Sequence, residues 1–357
     1  MRCYRKPRKK YHGALFIWYT YRENTWEDAV MKPEKLIELC KKKTVWIQTH
    51  NFPDPDAISS AFGLQKLLEH FGIASRICHE GQIDKLSSVK MLSLCGIEMH
   101  SYDEIESQMN ADDMIVLVDC QKNNGNTTDF VGDELAAIDH HPTVVKIDYE
   151  YSDLRITGAC ASIIAEYYKT LNVKPDVKVA TALMYGLRMD TLQLSRGVTE
   201  FDLDMLSFLF HYSDKELLNE LETNNMEFTD LRAYGEAIEN ARVFGKVCLS
   251  FLDFFCPDAL VAALSDFFLA LAEAEVVIIF AKRDTGYKFS FRSERSDVNA
   301  GVLAGEILEG WGNGGGHATM AGGFVEERNI PGDRMYLFDT VQEKTINLIE
   351  AKYPQIL

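Results

Sequence analysis

The stretch Thr49-His50-Asn51-Phe52-Pro53-Asp54-Pro55-Asp56-Ala57 joins an apolar run, Val45-Trp46-Ile47, to a segment with apolar residues at helical spacing: Ile58, Ala61, Phe62, Leu64, Leu67, Leu68 and Phe71. The expected order is strand, short loop, amphipathic helix. Pro53 and Pro55 bias Phe52 and Asp54 towards extended backbone. Residues two apart in an extended segment point the same way, so Asp54 and Asp56 are expected to face one point. Two carboxylates held together repel unless a cation lies between them. Two plainer readings stand beside this one: Asp54 forms a turn, and Asp56 caps the helix.

Working outward, the chain alternates. Helices are expected over Pro33 to Cys40, Asp56 to Phe71, Gly158 to Leu171 and Pro175 to Leu187. Strands are expected over Val45 to Thr49, Ala74 to His79, Met114 to Val118 and Leu135 to Ile138. Met114-Ile115-Val116-Leu117-Val118 is a continuous apolar run, the mark of a strand buried on both faces. This alternation predicts an α/β catalytic domain with a largely parallel sheet over residues 31–212, its ligands beyond the carboxyl ends of the strands. Residues 213–240 read as a connecting helix. A smaller α/β domain is expected over 241–357: a strand at Val247 to Phe254, a helix at Asp258 to Ala272, and strands at Val276 to Lys282 and Tyr287 to Ser293 joined by a hairpin turn at Arg283-Asp284-Thr285-Gly286. A helix near Asn299 to Glu309, a Gly-rich loop and a last helix near Arg334 to Lys352 follow.

Whole-chain numbers narrow the function. At 357 residues, with 46% apolar and 25% charged residues, the chain suits about two soluble globular domains. A net charge of −17 lacks the basic footprint of a protein that tracks long duplex nucleic acid, yet is compatible with a small anionic substrate. The eight cysteines form no C-x-x-C pair and read as buried free thiols in a reducing compartment. No apolar stretch approaches the roughly 20 residues of a membrane span, and the expected location is cytoplasmic. Residues 1–30 are basic and aromatic, reading either as an appended arm or as extraneous sequence ahead of a start at Met31.

Acidic residues and histidines sit where strands and helices end: Asp119 after Met114–Val118, Asp139-His140-His141 after Ala136-Ala137-Ile138, and Asp190 after the helical stretch ending at Leu187. Any one such Asp is more often a helix cap or a loop salt bridge. The convergence of His50, Asp54, Asp56, Asp119, Asp139, His140 and Asp190 on one rim of one sheet argues for divalent cations.

The set His50-Asn51-x-Pro53-Asp54-x-Asp56-Ala57, the Asp after a buried strand, the Asp139-His140-His141 triplet and the later Asp190 resembles the DHH phosphoesterase family, over about residues 40 to 325. Phe289-Ser290-Phe291-Arg292-Ser293, then Val298-Asn299-Ala300, then Gly314-Gly315-Gly316-His317 is similar to that family's associated substrate-binding domain. Pro55 stands where the family often has glycine, and the family does not explain the N-terminal arm.

The resemblance implies two divalent ions, Mn2+ favoured: one held by His50, Asp54 and Asp119, the other by Asp56, Asp119, His140 and Asp190, with Asp119 bridging. It implies that His141 contacts the scissile phosphate and that Asp139 orients a neighbouring ligand. Arg292, Ser293, Asn299, Gly314, Gly315, Gly316 and His317 would hold the substrate. The compact layout looks most like the branch that cleaves nanoRNA, pAp or linear and cyclic dinucleotides. A RecJ-type single-strand exonuclease and a non-catalytic nucleotide sensor are the alternatives, and a homodimer is compatible with the sequence.

Overall fold

The computed structural model describes residues 32–83, 85–330 and 334–357, so the N-terminal arm lies outside the described residues. The elements run α1 (Pro33–Cys40), β1 (Val45–Gln48), α2 (Pro55–His70), β2 (Ser75–His79), α3 (Leu86–Cys95), β3 (His100–Ser101), α4 (Tyr102–Ile105), β4 (Met114–Val118), β5 (Asp133–Asp139), β6 (Tyr151–Leu154), α5 (Cys160–Thr170), α6 (Val177–Asp190) and α7 (Glu200–Phe210). Then come α8 (Lys215–Glu222), α9 (Asp230–Glu239), β7 (Arg242–Phe244), β8 (Val247–Phe255), α10 (Asp258–Leu269), β9 (Val276–Arg283), β10 (Gly286–Ser293), α11 (Ala300–Leu308), β11 (Gly312–Gly316), β12 (Met320–Glu326) and α12 (Arg334–Lys352). Two compact units result: residues up to Gly81 with Met99–Tyr212, and Gln82–Glu98 with Ser213–Leu357.

The first unit is built on a six-stranded sheet in the order β3-β2-β1-β4-β5-β6, every pair parallel. The chain leaves β1 towards one edge, returns to β4 and proceeds to the other edge. The order therefore reverses between β1 and β4, and the crevice at their carboxyl ends is where such sheets take ligands. All of Met114–Val118 is buried, as a continuous apolar run requires.

α2 begins at Pro55, whose fixed φ suits a first helical position. Asp54 is the cap: its Oδ1 accepts from the backbone N–H groups of Asp56 and Ala57 at 2.9 and 3.1 Å. The extended-backbone account of how Asp54 and Asp56 meet is thereby corrected, because Asp56 lies in the first helical turn. Phe52 also departs from expectation, with φ 55 instead of an extended value. Its N–H donates to the Glu80 carbonyl at 2.8 Å, and its ring lies against Gly81, contacts that hold it in the left-handed region despite the following proline.

α6 crosses the start of α2 at Gly186. A Cβ there would lie 2.1 Å from Ser59 Oγ and 2.9 Å from the Pro55 carbonyl oxygen, so only glycine permits the approach. Asp190, one helical turn further along α6, shares that face and is delivered to the start of α2.

The second unit carries a mixed sheet in the order β11-β12-β10-β9-β8-β7. Only β8 and β9 pair in parallel, through the α10 crossover. Alternate residues of β9 enter opposite cores: Val276, Ile278 and Phe280 meet α11 and α12, while Val277, Ile279 and Ala281 meet α9 and α10. Asp284-Thr285 closes the β9–β10 hairpin between Arg283 and Gly286, as the sequence suggests.

Residues 213–240 are not one connecting helix. Asn224 (φ 54) ends α8, and the Asp230 side chain accepts from the Glu227 N–H ahead of α9. α9 then packs on β8 as part of this unit, with Ser250 Oγ bonded to the Ala237 carbonyl at 2.6 Å. α3 also belongs here, and Lys90 bonds carbonyls at the end of α8.

The expected Gly-rich loop is instead the edge strand β11, paired residue for residue with β12. A Cβ on Gly314 would lie 2.4 Å from the Ala304 carbonyl oxygen, so these glycines let a strand lie directly on α11.

Candidate active site

Three of the six strands of the first sheet supply the site. His50 follows β1, Asp119 follows β4, and Asp139, His140 and His141 lie at the end of β5. Asp54 and Asp56 come from the start of α2, and Asp190 from the end of α6. Asp119 sits at φ 60, a strained value that among non-glycine residues Asp and Asn adopt most readily, and its N–H donates to the Ile138 carbonyl at 2.9 Å. Its two oxygens face different histidines. Oδ2 lies 3.6 Å from His50 Nε2, and Oδ1 lies 3.4 Å from His140 Nε2.

Both imidazoles are oriented through their other nitrogen. His50 Nδ1 lies 2.9 Å from the Asn51 carbonyl oxygen, and His140 Nδ1 lies 3.0 Å from that of Thr157. A carbonyl only accepts, so each Nδ1 carries a proton, which leaves Nε2 as the nitrogen directed at the carboxylates. His50 Nε2 is 3.8 Å from Asp54, and His140 Nε2 is 3.9 Å from Asp56 and 3.4 Å from Asp190.

Asp56 is buried and accepts three hydrogen bonds, one of them from Ser60 Oγ at 3.3 Å. Its Oδ2 accepts from the Cys160 N–H at 2.7 Å and its Oδ1 from the Ala161 N–H at 2.9 Å, the first N–H groups of α5. Asp139, fully buried, accepts from His141 Nδ1 at 2.8 Å, from the His140 N–H at 2.8 Å and from Gln121 Nε2 at 2.7 Å. The group that Asp139 orients is therefore His141, along with the backbone of His140.

The electrostatics record a concentration of negative charge. Burial, then the neighbouring Asp119, Asp190 and Asp54, push the Asp56 carboxyl well above its usual range. Burial and then Asp54 push Asp190 up to about 6. Burial works against charging His50 and His140, but the adjacent carboxylates outweigh it and raise both imidazoles. Burial would likewise raise Asp139, but the hydrogen bond to His141 holds it below its usual range. The same bond, against burial, raises His141.

Among the described residues, three groups bring ligating atoms within 4.8 Å of one another: His50, Asp54 and Asp119; Asp56, His140 and Asp190; and Asp119, His140 and His141. Asp119 Oδ1 and His140 Nε2 are buried without a hydrogen-bond partner. Buried polar atoms left without a partner are costly, and a cation among them would satisfy both. Carboxylate and neutral imidazole donors are the set that divalent ions such as Mn2+ take, so these residues fit a cation. The seven described cysteines are buried, and none belongs to these groups.

In the second unit, Arg292 on β10 is engaged: its Nε bonds Asp266 at 2.7 Å and its guanidinium also reaches Ser290 Oγ and the Phe291 carbonyl. Ser293 is buried, its Oγ bonded to the Arg295 backbone. Asn299 caps α11, accepting from the Val302 N–H at 3.1 Å. Gly315, Gly316 and His317 are exposed along β11 and its turn, whereas Gly314 is half-buried under α11. The turn also covers the start of α11: the N–H groups of Ala300 and Gly301 donate to the Ala318 and His317 carbonyls.

Sequence reasoning missed Gln121 and the backbone donors and acceptor at Thr157, Cys160 and Ala161. Gln121 lies two residues past Asp119 and was findable. Backbone groups carry no signal in residue type.

Residues 44–187 match the model of the DHH family N-terminal domain, and residues 245–344 match the DHHA1 domain. The chain belongs to the DHH family. Among relatives of this DHH chain, an uncharacterized protein of Methanocaldococcus jannaschii is 31% identical over 294 residues, 82% of this chain. The chain spans 59% of that relative's length. The bifunctional oligoribonuclease and PAP phosphatase NrnA of Bacillus subtilis is 24% identical over 316 residues, covering 83% of this chain and 93% of that protein. The fold is shared with an exopolyphosphatase-related protein from Bacteroides fragilis: TM-score 0.70, 18% identity, 90% of this chain and 99% of that one. It is shared also with RecJ from Thermus thermophilus, solved in complex with Mn2+: TM-score 0.53, 13% identity, 89% of this chain and 55% of that one.

Proposed function

We propose that this DHH-family chain is a two-metal phosphoesterase that hydrolyses phosphoester bonds of short oligonucleotides or small nucleotides, with Mn2+ as the favoured ion. The observation that carries the reading is Asp119, whose two oxygens face His50 on one side and His140 on the other. One bridging carboxylate between two ligand groups is what a pair of ions requires. Similarity to a protein named for oligoribonuclease and PAP phosphatase activity supports the substrate class. A net charge of −17 fits a small anionic substrate better than a long strand.

In this reading His50, Asp54 and Asp119 hold one ion, and Asp56, Asp119, His140 and Asp190 hold the other. Bound there, such a pair polarises the phosphoryl group and acidifies a water. His141 is not assigned as a ligand, because its Nδ1 is committed to Asp139. Its side chain is 35% exposed, and it donates from Nε2 to the phosphoryl or leaving oxygen as charge builds there. Asp139 keeps that imidazole oriented and favours its charged form. Substrate gripping is assigned to the second unit, through the exposed Gly315, Gly316 and His317, and through Arg292 once it exchanges Asp266 for a phosphate.

The test is hydrolysis by the purified chain, with Mn2+ and with EDTA, of a panel containing pApA, pAp and a cyclic dinucleotide. Mn2+-dependent turnover of at least one is expected. Binding without hydrolysis of any would establish a nucleotide sensor instead.

A further inference from the structure

One buried carboxylate outside the ligand set connects several members of it. Asp202, in the first turn of α7, has no exposed surface, and both its oxygens are used. Oδ2 accepts from the Gly158 N–H at 2.8 Å and from the Thr199 N–H and hydroxyl at 2.8 and 2.6 Å; Oδ1 accepts from Ser162 Oγ at 2.6 Å. The Thr199 bonds make an ordinary capping box for α7. The bonds to Gly158 and Ser162 reach 44 and 40 residues back along the chain, to the segment that opens α5.

That segment positions two site residues directly and packs beside the residue that follows a third. The Thr157 carbonyl, beside Gly158, orients His140. The Cys160 and Ala161 N–H groups, between Gly158 and Ser162, bind the two oxygens of Asp56. Gly158 itself lies between Asp202 and Thr191: a Cβ there would be 2.7 Å from Asp202 Oδ2 and 2.8 Å from Thr191 Cγ2. Thr191 is the residue after Asp190. Asp56, His140 and Asp190 are one of the three groups able to gather around an ion. The segment clamped by Asp202 thus touches or adjoins all three, whereas His50 is oriented through Asn51 and Asp54 through the start of α2.

We propose that Asp202 is a positioning residue for the Asp56–His140–Asp190 cation site, acting through residues 157–162, and that it leaves the His50–Asp54–Asp119 site largely alone. The proposal rests on the two-ion reading above. Partners one step removed from metal ligands typically change metal affinity about 10- to 100-fold when lost. The effect of Asp202 is confined to one ion because its contacts are.

The experiment is a Mn2+ titration of the full chain stripped with EDTA, read by calorimetry and by electron paramagnetic resonance, which distinguishes a spin-coupled pair from single ions. The wild type is expected to bind two ions and Asp202→Ala to keep one, with the other weakened about 10- to 100-fold and the coupled signal lost. In the His50→Ala background, Asp202→Ala should weaken the ion that remains. Asp202→Asn, which can still accept from Gly158 while Ser162 turns its hydroxyl to accept, should recover most of the affinity. Leu36→Ala in α1, a buried change of unrelated location, should lower the Tm yet leave both affinities unchanged. If Asp202→Ala does not fold, Ser162→Ala removes one clamp bond and should give a smaller, one-sided loss. Equal weakening of both ions, or no weakening of either, overturns the proposal while the two-ion reading stands. A wild-type chain that binds no Mn2+ overturns both.

Discussion

Replacing Asp139 by Asn removes one charge and almost no volume from the partner of His141. The carboxylate accepts three hydrogen bonds, from His141 Nδ1, the His140 N–H and Gln121 Nε2. An amide oxygen can keep the bonds on one side. The amide nitrogen then meets Gln121, whose own Oε1 is buried without a partner and can accept from it if the side chain turns. The fold should therefore tolerate the change, with Tm lowered by a few degrees. The chemistry should not. A hydrogen bond to a charged group is worth about 1.5–3 kcal/mol, or about tenfold to a hundredfold in rate if it is felt in the transition state. With the carboxylate gone, the burial that already opposes charging His141 prevails, and its pKa falls. The protonated fraction at neutral pH drops. The alkaline limb of the kcat profile, set by loss of that proton, should move to lower pH. Steady-state kinetics across pH, imidazole NMR and metal analysis would check this. A variant with full metal content, an unmoved alkaline limb and kcat within twofold of wild type refutes the Asp139–His141 assignment.

Asp119→Ala should abolish turnover on every substrate and lower the metal content for both ions, since Asp119 faces both histidines; retained activity with metal present would remove the bridge. Mn2+ affinity should rise steeply with pH across the range around 6 and above, because Asp190, near 6, and the raised His50 and His140 hold protons that the ion must displace; calorimetry in buffers of different ionisation enthalpy would count them. The metal-free protein should lose stability as pH rises from about 4 through 6 and beyond. A carboxyl such as Asp190 with its pKa raised on folding favours the folded state only while protonated, and imidazoles raised on folding favour it only while charged. Tm against pH, with EDTA and with Mn2+, checks the sign. Arg292→Ala should raise KM more than it lowers kcat, by about tenfold to a hundredfold in kcat/KM; an unchanged kcat/KM on every nucleotide would leave Arg292 as the partner of Asp266 only.

Much of the fold is legible because burial on this sheet is extreme. Met114–Val118 announces itself as a run of five apolar residues, and the apolar spacing of α2 survives although almost its whole surface is covered. The elements that escape are those whose buried positions are polar or small. α3 buries Ser87 and Ser88 as well as Met91 and Cys95, and the edge strand β6 alternates Tyr151 and Asp153 inward, a pattern that hydrophobic periodicity does not flag. Residues 312–316 are expected as a Gly-rich loop, whereas the missing side chains let them form an edge strand lying on α11.

The candidate site shows a sharper division between what residue type reveals and what it hides. The side chains that could bind an ion are picked out by their chemistry together with their convergence at strand and helix ends. The reason the side chains meet is not. Asp54 and Asp56 converge because a proline starts the helix between them, and Asp190 joins them because Gly186 lets α6 lie against that first turn. His140 and Asp56 are aimed by a carbonyl and two N–H groups from residues 157–161, whose side chains are unremarked threonine, glycine, alanine and cysteine. Placing several carboxylates in a buried pocket costs stability in the absence of a cation, as the raised Asp56 and Asp190 record. That cost is tolerable only where rigid backbone holds the acids in place, and the topological switch between β1 and β4, roofed by the starts of α2 and α5, is where this fold supplies it.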